Sequence, residues 1–68
     1  MTVYRMFATE YNHRSCVRIF KPEQLPTVKP FLRQYCAESA PNTIVELVKY
    51  VNGKVEKCVY KVQKLGNK

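Results

Sequence analysis

The chain has no aspartate and only two glycines in 68 residues. Its acids, Glu10, Glu23, Glu38, Glu46 and Glu56, are scattered, and no pair recurs at a spacing that would set a general acid beside a general base. A phosphate-cradling loop needs clustered glycines, and Gly53 and Gly66 stand far apart. His13 is the single histidine; a catalytic imidazole needs a nucleophile or carboxylate held against it, and a metal site needs several ligands. A solvated turn residue is the plainer reading. Cys16, Cys36 and Cys58 are odd in number and include no C-x-x-C pair, which offers neither a complete disulfide framework nor a zinc site. No apolar run approaches the ~18 residues that span a bilayer. The order Met1-Thr2-Val3-Tyr4-Arg5 also lacks the basic-then-apolar pattern of a secretory signal. The expectation is a non-enzymatic chain with no cofactor, no metal and no membrane partner, cytoplasmic in location.

What the chain does have is positive charge. Lys and Arg number 12 against 5 acids, for a formal charge of +7. Hydrophobic residues at 46% and charged residues at 25% still match a folded globular composition rather than a disordered one. The length allows a single domain, 1–68, of a size that buries about 60% of its unfolded surface.

Two stretches rich in β-formers, Val3 to Tyr11 and Ser15 to Phe20, flank Asn12-His13-Arg14 and read as a hairpin over 3–20. Val28, Phe31, Leu32, Tyr35 and Cys36 then fall at i, i+3, i+4, i+7 and i+8, one apolar stripe of a helix. The helix is expected over 27–39, with Thr27 as N-cap, Pro30 in the first turn and Ser39-Ala40-Pro41-Asn42 as the stop. Beyond it, two β-rich runs separated by Asn52-Gly53 predict a second hairpin over 43–65, because a type I′ turn needs positive φ at both of its central positions. Gly66-Asn67-Lys68 is expected to fray. The predicted fold class is α+β: ββαββ, an antiparallel four-stranded sheet with one helix on one face.

If both loops have two residues and regular pairing, alternation assigns the faces. Leu47 then opposes Cys58 and Val45 opposes Tyr60. The helix would bury Met6, Ala8, Val17, Ile19, Val45, Leu47, Cys58 and Tyr60, with a Lys49–Glu56 pair toward the hairpin tip. Four strands make a sheet roughly 19 Å wide, and a helix is only about 10–12 Å across, so the other face stays open. That face would collect Phe7 opposite Arg18 and Arg5 opposite Phe20, together with Val48, Tyr50, Val55, Lys57, Val59 and Lys61. Cys16, flanked by Arg14 and Arg18, is the thiol expected to be reachable, while Cys36 and Cys58 lie inward.

Lysines on an outer strand can simply deter sheet-to-sheet aggregation. Arginines interleaved with aromatics point further, because basic side chains track phosphates and aromatic ones stack bases. The expected function is a small binding module engaging nucleic acid, single-stranded in preference, through Arg5, Phe7, Tyr11, Arg14, Arg18, Phe20, Tyr50, Lys57 and Lys61. Protein interfaces also favour Arg, Phe and Tyr. The alternative is therefore a regulator or inhibitor docking on an acidic partner protein, with a homodimer through the open face as a third reading.

Overall fold

The computed structural model describes residues 1–64; Leu65 and the expected frayed tail Gly66-Asn67-Lys68 lie outside the described residues. Strands β1 (Thr2–Glu10) and β2 (His13–Phe20) form the first hairpin. A 3-10 turn (Pro22–Gln24) leads into α1 (Leu25–Ala37), and β3 (Ile44–Val51) and β4 (Lys54–Gln63) form the second hairpin. The sheet order is β2-β1-β3-β4, with every neighbouring pair antiparallel. This is the ββαββ arrangement of the α+β class that the sequence pattern predicts, with β1 and β3 as its inner strands.

The second turn forms as expected, with Asn52 at φ 52° and Gly53 at φ 82°. The first falls on Tyr11-Asn12 (φ 52° and 64°), one residue earlier than Asn12-His13, so that Asn12 takes the second left-handed position and His13 pairs with Glu10. The helix also starts earlier than Thr27. The prolines decide this: Pro22 and Pro26 occupy opening positions of the 3-10 turn and of α1, where a missing N–H costs little. Lys21 N–H donates to the Gln24 side chain at 2.7 Å, closing the entry. Thr27 donates its hydroxyl back to the Gln24 carbonyl at 3.0 Å rather than capping. Pro30 consequently lies inside the helix and not in its first turn. At the other end Lys64 Nζ donates to the carbonyls of Ala37 (2.9 Å) and Ser39 (2.8 Å), a cation on the negative end of the helix dipole.

The predicted stripe packs as read. Val28, Leu32 and Cys36 are buried against Tyr4, Met6 and Ala8 of β1 and Val45 and Leu47 of β3, with Phe31 and Tyr35 at its flank. The helix thus covers the inner strands and leaves the outer two largely exposed.

Bulges on both outer strands set the remaining faces. In the first hairpin, pairing runs from Glu10↔His13 to Phe7↔Cys16 and resumes at Met6↔Arg18, leaving Val17 as the extra residue. The earlier turn shifts Arg14 and Cys16 by two positions, which preserves their face; the bulge reduces that shift to one for Arg18, Ile19 and Phe20, which reverses theirs. Ile19 and Val17, expected in the core, are therefore 56% and 37% exposed. Phe20, expected on the open face, is only 7% exposed and packs edge-on against Phe31, ring centres 6.0 Å apart. Arg18 moves with it, its guanidinium 5.4 Å from the Phe31 ring centre.

In the second hairpin, Val51↔Lys54 and Tyr50↔Val55 follow the expected register, but Lys49 pairs with Lys57, Val48 with Cys58, Leu47 with Tyr60 and Val45 with Val62. Glu56 and Val59 are the extra residues. One bulge turns Cys58 to the open face, where it is exposed, and Lys57 to the helix side. The second bulge restores the expected facing of Tyr60, Lys61 and Val62. The Lys49–Glu56 ion pair forms at 3.1 Å.

Candidate nucleic-acid interface on the open sheet face

The open face is built around two guanidinium–aromatic stacks. Arg14 of β2 lies over the Phe7 ring of β1, its Cζ 3.9 Å from the ring centre. Arg5, on the same side of β1, covers Tyr50 of β3 at 4.4 Å. The two rings are 6.5 Å apart and inclined by 42°, so the stacks adjoin one another across β1 and β3. Each cation–π contact of this exposed kind contributes about 0.5–1 kcal/mol. These contacts replace the expected Phe7–Arg18 and Arg5–Phe20 pairs, which the bulge at Val17 forbids.

Val48 forms the apolar floor, opposite Arg5 on one side and Cys58 on the other, and is buried even though it belongs to no part of the helix-side core. Glu46 is the one acid on this face among the described residues. It sits opposite Phe7 and Lys61, and its carboxylate lies 3.4 Å from Arg14 Nε. The Nε of Arg5 is buried and finds no hydrogen-bond partner among the described residues.

Of the residues expected to form the interface, the structure gathers Arg5, Phe7, Arg14, Tyr50 and Lys61 on one face. Arg18, Phe20 and Lys57 go to the helix side, and Tyr11 occupies the hairpin tip with 87% of its surface exposed. The anticipated open apolar patch accordingly loses Phe20 and Val59. The part played by Glu46 escapes a reading based on positive charge and aromatics, although its alternation with Val48 and Tyr50 along β3 places it on this face.

Among the described residues no cluster of His, Cys, Asp or Glu could hold a metal ion. No helix among them is long and apolar enough to cross a membrane. Cys36 lies on the buried face of α1; burial pushes its thiol pKa up, partly offset by Lys64. Its S–H donates weakly to the Thr43 carbonyl at 3.7 Å. Neither a family model, nor a curated protein, nor a solved structure matches this chain.

Proposed function

We propose that this chain is a non-enzymatic binding module that engages single-stranded nucleic acid through the open face of its sheet. The adjoining Arg14–Phe7 and Arg5–Tyr50 stacks support the reading most strongly. A strand without sequence preference is held by cations on its phosphates and flat π-surfaces under its bases. In both stacks the guanidinium already covers the ring, so an incoming base meets the arginine plane first, a recognised partner for unstacked bases. The rings then serve as platforms that hold each guanidinium over the sheet. Exposed Ile19 and Val55 on the flanks of this face keep an acidic protein partner as the second reading.

The bulges reduce the number of cations that one strand can meet at once. Arg5, Arg14 and Lys61 share the face, whereas Arg18 and Lys57 do not. Three phosphate contacts give a log–log salt slope near −2 for single strands. The test is a salt series with a mixed-sequence strand of about twelve nucleotides. Arg14→Ala should flatten the slope by about 0.7, while Glu46→Gln, which releases Arg14 and removes an acid from the face, should tighten binding. A gain of affinity is not something a damaged fold produces. Binding weaker than about 10⁻⁴ M at physiological salt would reject the nucleic-acid reading and leave the face to an acidic protein.

A further inference from the structure

The opposite side of the sheet carries a cleft that the open face does not explain. It lies between the first turn of α1 and the strands beneath, encloses about 530 Å³, and is floored by Leu25, Pro26, Leu47 and Val59 beside Tyr4. Three lysines from three different elements ring it: Lys29 of α1, Lys49 of β3 and Lys57 of β4. No acidic residue lines it. Lys49 is neutralised by Glu56 at 3.1 Å. Lys29 rests over the Tyr60 ring at 5.2 Å, and neither it nor Lys57 has a carboxylate partner among the described residues.

Protection of a sheet edge accounts for Lys57 on the outer strand β4, but not for Lys49 on an inner strand or Lys29 on the helix. Lysines lining one cleft raise the positive potential over its apolar floor, where field lines are less well screened than in open water. The volume falls in the range of small-molecule sites, which combine an apolar lining with a few convergent polar groups. Apolar floor and cationic rim together describe a ligand of complementary build.

We propose that this cleft binds a small anionic amphiphile, its apolar body on Leu25, Leu47 and Val59 and its head between Lys29 and Lys57. Carboxylate and phosphate-monoester heads share the required chemistry. The cleft uses none of the open-face residues, so the outcome here and the outcome of the oligonucleotide titration are read independently.

The experiment titrates the intact protein with decanoate, decyl phosphate, decanol and inorganic phosphate, each below its micelle concentration, by calorimetry and amide chemical shifts. Decanoate and decyl phosphate should both saturate the protein, the tighter of the two identifying the preferred head, and should shift the amides of Leu25, Leu47 and Val59. Decanol and inorganic phosphate should each bind at least tenfold more weakly. Lys29→Gln and Lys57→Gln should each weaken decanoate by up to about fivefold, the upper range for an exposed ion pair. Lys54→Gln, which removes the same charge from β4 outside the cleft, should leave affinity unchanged. The proposal is overturned if decanol binds as tightly as decanoate, if Lys54→Gln weakens binding as much as Lys57→Gln, if the shifts centre on Phe7 and Val48, or if no amphiphile saturates by about 1 mM, a free energy of only about −4 kcal/mol.

Discussion

Two adjacent residues on β2 test the register of the whole first hairpin. Phe20 is 7% exposed and meets Phe31 edge-on at 6.0 Å, whereas its neighbour Ile19 is 56% exposed on the other face. Truncating a buried phenylalanine to alanine costs about 3–5 kcal/mol, whereas truncating a largely exposed strand residue costs about 1 kcal/mol or less. For a chain of this length the total stability is on the order of 3–10 kcal/mol, so Phe20→Ala removes a large share of it, and Phe20→Leu provides a graded companion at about 1 kcal/mol. Urea unfolding followed by circular dichroism reads all three variants. With a slope near 1 kcal/mol per M, typical of small domains, the Phe20→Ala midpoint falls by about 3–5 M and the Ile19→Ala midpoint by about 1 M or less. A regular hairpin turning at Asn12-His13 exchanges the two residues between faces and reverses that order. An Ile19→Ala variant as destabilised as Phe20→Ala would therefore refute the bulge at Val17 and every face assignment that depends on it.

Gly53 has φ 82° with open space where a Cβ would stand, so Gly53→Val meets backbone strain alone and should lose about 1–2 kcal/mol in the same assay; an unchanged midpoint would remove the type I′ turn. Cys16 and Cys58 should react with a thiol reagent in the native protein and Cys36 only on unfolding, with mass spectrometry locating the adducts; a protected Cys58 would contradict the second hairpin's register. Burial raises the Cys36 pKa above its ordinary 9.0, so the folded state keeps a proton that the unfolded chain releases. Stability from this group is complete below pH 9.0 and lost as pH rises through the folded value, and Cys36→Ala should lack that alkaline component.

The features legible in the sequence are those with a local chemical marker. Asn52-Gly53 announces its turn because few other residue pairs accept two positive φ angles, and the stripe of Val28, Leu32 and Cys36 announces a helix by its period. Bulges lack such a mark here. The extra residues are Val17, Glu56 and Val59, with no glycine among them to signal a left-handed bulge position. Face assignments consequently survive wherever the accumulated shift is zero or two, as at Arg14, Cys16 and Lys61, and fail where it is one, as at Arg18, Phe20, Lys57 and Cys58. Arg5, Phe7 and Tyr50 keep the common face that alternation assigns them, because β1 and β3 pair without a bulge, but the β1–β3 pairing that makes them neighbours has no local mark in the sequence.

Most of the chain's basic strand residues have an explanation that involves no ligand. Arg14 and Arg18 lie on β2, and Lys54, Lys57 and Lys61 on β4, the two outer strands, where charge and bulges together deter pairing with another sheet. Arg5 does not fit that account. It stands on β1, flanked by β2 and β3, with its Nε shielded from solvent and without a hydrogen-bond partner among the described residues. An unsatisfied donor of this kind costs about 1–3 kcal/mol, and the contact with Tyr50 returns only about 0.5–1 kcal/mol. On stability alone an unbranched apolar residue would serve better at this position. Arg5→Met should therefore raise stability, by about 1 kcal/mol as the difference of those two contributions, while weakening single-strand binding and flattening its salt slope by about 0.7. The opposite signs make the test exacting, since a residue kept for packing would lose stability when replaced. A variant that is less stable, or one that is more stable with oligonucleotide affinity unchanged, would show that Arg5 is not maintained for phosphate contact and would remove the central cation from the proposed interface.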